Sequence, residues 1–189
     1  MTSRHRDAVV SSGAEELILV DAADREIGFD TKERCHDGDG ILHRAFSVFL
    51  LDSDGRVLLQ QRAVGKRLWA GFWANSVCSH PRRGESMEVA TSRRLAEELG
   101  VSVDLEFCFT FTYHARFGSL GSEHELCWVY LGAVDPGSIT FNRTEIDAVR
   151  WVSPAELDAE LAERPEHFTP WLHLEWDRLR ERLLPDSAA

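Results

Sequence analysis

Three histidines and two glutamates carry the first chemical signal: His36, His43, His80, Glu123 and Glu125, widely separated along the chain. Brought together, three imidazoles and two carboxylates make a five-ligand nitrogen and oxygen site suited to a borderline divalent ion such as Mn²⁺ or Zn²⁺. Taken one at a time, each histidine is more often an ordinary residue than a ligand, so the fold must supply the convergence. Cys78 carries the second signal, in the run Asn75, Ser76, Val77, Cys78, Ser79, His80, Pro81. The cysteines Cys35, Cys78, Cys108 and Cys127 include no C-x-x-C pair, which argues against a zinc ribbon or disulfide framework. Three of them are expected to be small buried hydrophobes. Charge is the third signal. The chain has a net charge of -11, unlike a nucleic-acid surface. Yet Arg62, Lys66, Arg67, Arg82, Arg83, Arg93 and Arg94 fall close together in sequence. Such a cluster suits a small polyanion, or else forms a solvated basic face. Arg94 and Glu98 stand four apart, as do Arg93 and Glu97. On a helix these are either surface ion pairs of a few tenths of a kcal/mol, or Glu98 on Mg²⁺ with an arginine beside it on phosphate.

The elements that must position these groups follow from periodicity and punctuation. Residues 16–21 read as a first strand. Residues 45–51 are apolar, and Asp52, Ser53, Asp54 and Gly55 turn the chain into residues 56–61, a β-hairpin signal. Residues 107–114, 126–133 and 148–152 give further strands. A first helix spans residues 85–99, with Met87, Thr91, Leu95 and Leu99 on one face and Gly100 as its stop. Ser153, Pro154, Ala155 and Glu156 form a capping box opening a second helix. A third runs from about Thr169 and Pro170 to residue 184. Strands with interspersed helices and no strict βαβ alternation predict a mixed α/β layered domain. A length of 189 residues, with no repeat or linker-like tract, suits one core. Residues 1–14 read as a flexible polar arm, and residues 15–185 as one domain.

The stretch from Ser79 to Val101 resembles the Nudix box, G-x5-E-x7-R-E-U-x-E-E-x-G-U with U a bulky aliphatic. Glu85, Arg93, Leu95, Glu97, Glu98, Gly100 and Val101 match. Ser79 replaces the first glycine, and Arg94 replaces a metal-binding glutamate. That departure implies a retained fold and diphosphate grip with altered chemistry. The Cys78 run, Tyr113, Glu123, Glu125 and Cys127 are similar to type I isopentenyl diphosphate isomerases. So are Lys32 four residues before His36, the run Gln61, Arg62, Ala63 with Lys66, and Thr169, Pro170, Trp171. The likeness spans roughly residues 17–171. It implies a Nudix-like mixed β-sheet layered between helices. It also implies interconversion of isopentenyl and dimethylallyl diphosphate in isoprenoid biosynthesis, with Cys78 and Glu125 as acid/base groups on opposite substrate faces. His36, His43, His80, Glu123 and Glu125 would hold a tight Mn²⁺ or Zn²⁺. Glu98 and the Cys78 carbonyl would hold a Mg²⁺ arriving with the diphosphate, and Lys32, Arg62, Lys66 and Arg94 would contact phosphate.

Such chemistry protonates an unactivated alkene and passes through a tertiary carbocation. It needs a strong proton donor in a dry pocket, for which Tyr113 is the relay, and a cation stabiliser, for which Trp171 is the choice. A free thiol, titrating near pH 8.5 unless perturbed, suits proton removal as thiolate. The competing reading of the same box is a Nudix-type pyrophosphohydrolase. With no apolar run long enough to span a bilayer and no signal-peptide pattern, the expected location is the cytoplasm. The expected partner is a small-molecule diphosphate, not nucleic acid or membrane, and the expected state is a monomer.

Overall fold

A computed structural model of the chain describes residues 7–183. In chain order the strands are β1 (Glu16–Val20), β2 (Glu26–Thr31), β3 (His43–Leu51), β4 (Val57–Arg62), β5 (Trp73–Ala74), β6 (Val77–Ser79), β7 (Leu105–Phe117), β8 (Gly121–Ala133) and β9 (Ile146–Val152). The helices are α1 (Lys32–Cys35), α2 (Met87–Leu99), α3 (Pro154–Glu163) and α4 (Pro170–Leu183). Residue 184, the expected end of the last helix, lies outside the described residues.

Strand β3 is the axis of the mixed sheet. It runs parallel to β8 over its whole length, from His43 opposite Glu125 to Leu51 opposite Ala133. It is antiparallel to β6, with Ser47 opposite Cys78, and meets β1 at Leu19 and His43. Beyond it, β4 pairs with β5 and β9, and β7 forms a long hairpin with β8. Side chains alternate across a strand, so β3 feeds two cores. Phe46, Val48 and Leu50 pack with Ala90, Leu95 and Leu99 of α2. Ala45 and Phe49 pack with Leu157 of α3 and Leu172, Trp176 and Leu179 of α4. A mixed sheet between helices results, as expected from the sequence.

Several elements differ from expectation. The turn at residues 52–55 forms, with the Gly55 N–H donating to the Asp52 carbonyl at 3.1 Å, but β3 and β4 share only the pair Leu51 and Val57. The Ser76 hydroxyl explains why the strands part. It accepts from the Leu50 N–H at 2.8 Å and donates to the Leu58 carbonyl at 2.7 Å. That side chain takes bonds a regular ladder would have made, and opens room for β6. Strands β7 and β8 outrun the expected spans: the added end of β8, residues 121–125, is polar and carries no apolar run, whereas Ala115, Arg116 and Phe117 of β7 continue the alternation of Tyr113 and His114 that the expected span cut short. The first helix starts at Met87, since Ser86 caps it by accepting from the Val89 N–H. Cys35 and Cys127 are buried, but Cys108 is only half-buried on β7.

Candidate active site

Sheet register draws the five metal-type ligands together. Glu123 and Glu125 are two apart on β8, so both point to the same face. Glu125 lies opposite His43 on one side and Tyr113 on the other. His80 follows β6, and His36 caps the C-terminal end of α1. Gly121 permits this approach, because a Cβ there would stand 2.2 Å from the His36 carbonyl oxygen. The ligand atoms of all five residues fall within 4.8 Å of one another, and all five side chains are buried.

Their hydrogen bonding fits a cation. The Nδ1–H of His36 donates to the Lys32 carbonyl at 2.6 Å, and that of His43 to the Ile41 carbonyl at 2.7 Å. Both rings therefore turn Nε2 inward, the arrangement by which outer partners orient metal-binding imidazoles. His36 Nε2 lies 2.7 Å from Glu123, and His80 Nε2 2.8 Å from Glu125. An unprotonated nitrogen facing a carboxylate oxygen is repulsive unless a proton or metal ion joins them. His43 Nε2 has no hydrogen-bond partner. Burial lowers the His36 pKa, but Glu123 outweighs it and the net shift is upward. His80 is held well below the usual histidine range by burial and by its two imidazole neighbours. Burial raises the Glu125 carboxyl, yet His43 and Tyr113 bring it below the usual value.

A cavity of about 540 Å³ opens beside this cluster, and Cys78, Tyr113, Glu123, Glu125 and Trp171 are among the residues lining it. The Tyr113 hydroxyl donates to Glu125 Oε2 at 2.7 Å, and burial raises its pKa well above the ordinary phenol value. Burial also pushes the Cys78 thiol up to about 12, against the pull of Arg62, whose guanidinium reaches Sγ at 3.6 Å. The same guanidinium stands over the Trp171 ring, 5.2 Å from its centre. That ring face thus already accommodates a cation. Its Nε1–H donates to the Asn75 amide oxygen at 3.2 Å, and Trp69 meets it edge-on at 5.3 Å.

One end of the cavity is cationic, with Lys32, Lys66 and Arg94 on its wall. Burial, then repulsion from Lys66 and Arg94, brings Lys32 down to about 8. Lys32 Nζ donates to the Ser11 hydroxyl at 2.7 Å, and the Arg94 guanidinium to the Val10 carbonyl at 3.3 Å. Arg94 is also paired with Glu98, its Nε lying 2.9 Å from Oε1, with Glu97 at 3.2 Å and with Glu145 at 3.3 Å. Glu98 is buried behind Arg94 and is not among the residues lining the cavity.

The NUDIX domain family matches residues 41–172. An isopentenyl-diphosphate Delta-isomerase of Serratia proteamaculans is 46% identical over 157 residues, covering 83% of this chain and 87% of its own. The Nocardia farcinica protein of the same name is also 46% identical, covering 82% and 88%. The chain belongs to the isopentenyl-diphosphate Delta-isomerase family. Among solved structures, DR0079 from Deinococcus radiodurans superposes with a TM-score of 0.66 at 24% identity, covering 79% of this chain and 90% of that one. A MutT protein from Methanosarcina mazei gives 0.60 at 16% identity, covering 75% and 94%. These two show the shared NUDIX fold.

Within this isomerase-family chain, the structure gathers His36, His43, His80, Glu123, Glu125, Cys78, Tyr113 and Trp171 around one cavity, with Lys32, Arg62, Lys66 and Arg94 on its walls. His43 alone of the first five stands behind the wall. Sequence reasoning missed Glu145, which lines the cavity and pairs with Lys66. Glu175 was also missed. It is fully buried on α4, with Oε1 3.7 Å from Cys127 Sγ and burial raising its carboxyl to about 8. A carboxylate inside the apolar stripe Trp171, Leu172, Trp176, Leu179 was the available signal for it.

Proposed function

We propose that the chain interconverts isopentenyl diphosphate and dimethylallyl diphosphate by moving one proton onto the substrate and another off it. The observation that carries this reading is a single cavity with two proton-handling groups, an aromatic ring, and three cations at one end. Tyr113 and Glu125 form one proton-handling unit, in which the phenol donates to the carboxylate. Cys78 is the other. In the isopentenyl direction, a proton from the Glu125 and Tyr113 side adds to the terminal alkene carbon. Cys78 then takes a proton from the carbon nearer the diphosphate as thiolate, the form that burial disfavours and the adjacent Arg62 guanidinium favours. The reverse direction exchanges the roles. Between the two transfers the substrate is a tertiary carbocation, which the Trp171 face stabilises by about 2 kcal/mol when desolvated. Tyr113 and Trp69 pack against the Trp171 ring, and Phe117 backs Trp69, an aromatic surround that offers the cation no nucleophile on that side. Lys32, Arg62, Lys66 and Arg94 hold the diphosphate.

His36, His43, His80, Glu123 and Glu125 are the residues that would hold a tight divalent ion, of Mn²⁺ or Zn²⁺ type from the donor set. Bound there, such an ion acidifies the carboxyl groups around it. Glu98 and the Cys78 carbonyl are assigned to a Mg²⁺ accompanying the diphosphate, an assignment that requires Arg94 to release Glu98. We assign residues 15–185 to one domain and residues 1–14 to a flexible arm; within it, the Val10 carbonyl accepts from Arg94 and the Ser11 hydroxyl from Lys32. Among the described residues no helix is long and apolar enough to cross a membrane. A cytoplasmic monomer is part of the proposal, and sedimentation tests the monomer.

Proton NMR of isopentenyl diphosphate with the purified protein and Mg²⁺ in D₂O tests the reaction. Double-bond migration with deuterium incorporation is expected. Release of phosphate or pyrophosphate faster than migration would instead favour a pyrophosphohydrolase, against which Arg94 in the box already counts.

A further inference from the structure

Glu145 is a carboxylate where a diphosphate is expected to sit. It is almost fully buried and lines the cationic end of the cavity. Its side chain pairs with Lys66 and lies 3.3 Å from Arg94. Its backbone is fixed on both sides, the carbonyl accepting from the Ala63 N–H at 3.0 Å and the N–H donating to Asn142 at 3.1 Å. The Ala63 bond ties its backbone to the connection that carries Lys66, whose N–H in turn donates to the Ala63 carbonyl at 3.0 Å. Burial raises its pKa, but Lys66 and Arg94 outweigh this and hold it below the ordinary carboxyl value.

We propose that Glu145 is a resident counter-anion of the diphosphate cradle, holding Lys66 and Arg94 in the free protein and weakening diphosphate binding when the substrate takes those cations. The proposal rests on the reading of Lys32, Lys66 and Arg94 as diphosphate-binding groups. Three cations at one cavity end, Arg94 buried and Lys32 and Lys66 half-buried, repel one another, and in the free protein the carboxylate offsets that repulsion. Once a diphosphate arrives, the same carboxylate becomes a like charge beside it. Glu145 therefore stabilises the free protein and opposes the complex. Substrate and product carry the same diphosphate, so tighter diphosphate binding would hold both equally and would not speed the chemistry. A built-in competitor keeps that uniform binding in check and favours product release.

The test uses Glu145→Gln, which keeps the shape and removes the charge, with inorganic pyrophosphate as the probe. Calorimetric titration and thermal melting are run on the metal-loaded protein with and without added Mg²⁺. Free Glu145→Gln should melt lower than wild type, while its pyrophosphate affinity should rise at least about ten-fold, equivalent to about 1.4 kcal/mol. Its KM for isopentenyl diphosphate should fall together with kcat. Glu145→Asp keeps the charge but withdraws it from the cations, so it remains informative if the glutamine variant does not fold. It should show a smaller gain in affinity. Unchanged or weaker pyrophosphate binding in these variants overturns the proposal. So does a loss that appears only with Mg²⁺, which would make Glu145 a ligand of that ion. Lys66→Met is the control for the underlying reading. If it leaves pyrophosphate binding to otherwise wild-type protein intact, the cradle assignment itself fails.

Discussion

Tyr113→Phe removes one oxygen from the cavity and should slow isomerisation strongly while leaving the fold in place. The structure defines what is lost. The Tyr113 hydroxyl donates to Glu125 Oε2 at 2.7 Å, between a phenol held well above its ordinary pKa by burial and a carboxylate held below its own. Donor and acceptor are therefore unambiguous, and the bond runs to a charge. Hydrogen bonds to charged groups contribute about 1.5–3 kcal/mol. If the interaction is needed at the transition state, kcat falls roughly 10- to 150-fold, at about 1.4 kcal/mol per factor of ten. The ring itself stays, stacked on Phe111 at 5.4 Å, so packing loss is small and any fall in melting temperature reports the lost bond to Glu125. Glu125 loses a bond that stabilises its ionised form, so its pKa should rise. The assay is proton NMR of isopentenyl diphosphate with Mg²⁺ in D₂O, giving kcat, KM and deuterium incorporation. A kcat equal to wild type, or a defect confined to KM, refutes the proton-relay argument.

Cys78→Ala should abolish isomerisation while retaining pyrophosphate binding, and Cys78→Ser should be badly impaired because a hydroxyl is a far poorer base than a thiolate; near-normal turnover in the alanine variant refutes the assignment. The purified active protein should carry about one tightly held divalent ion, with activity also requiring exchangeable Mg²⁺. Elemental analysis of active protein that finds no tight metal overturns the five-ligand site. Glu175 predicts a pH effect on stability. Its folded carboxyl titrates at about 8, above the unfolded value, so its favourable contribution is complete below the unfolded pKa and is lost as pH rises through about 8. Wild type should therefore lose more unfolding free energy between acid and mildly alkaline pH than Glu175→Gln. Parallel denaturation series in the two proteins check this, and identical pH slopes refute it.

What the sequence made legible was chemistry carried by residue type and order. His36, His43 and His80, with Glu123 and Glu125, could be picked out as donors before anything was known of their separation. The long periodic elements were legible too, above all α2 with its apolar face and Gly100 stop. The element that carries Cys78 was not. Strand β6 is three residues long and has no alternation to detect. Its position depends on the parting of β3 from β4, which a hairpin signal at residues 52–55 actively concealed. Glu145 was missed for a different reason. Its only signal is spatial, since its ion-pair partners Lys66 and Arg94 are far away in sequence. Glu85 shows the opposite case, in which a residue assigned to the helix serves it from outside. Its carboxylate accepts from Arg93 at 2.8 Å and from the Arg82 N–H at 2.8 Å, fixing the chain that leads from His80 into α2.

The split between β3 and β4 is also where fold and chemistry meet. Ser76 bridges the parted strands through Leu50 and Leu58, while its neighbour Asn75 faces the other way in function. The Asn75 amide donates to the carbonyls of Val48 at 3.3 Å and Val77 at 2.8 Å, and its oxygen accepts from Trp171. A fully buried amide would be costly if any of these groups were left unpaired. Here both polar ends are used, and the same side chain ties β6, which presents Cys78, to α4, which presents Trp171. The proposed base and the proposed cation stabiliser are thus positioned by one residue rather than by two independent scaffolds. That coupling accounts for the run from Asn75 to His80 as a unit. Asn75 and Ser76 open the sheet and orient the ring, Val77 anchors the strand in the core against α2, Cys78 faces the cavity, and His80 turns back to Glu125.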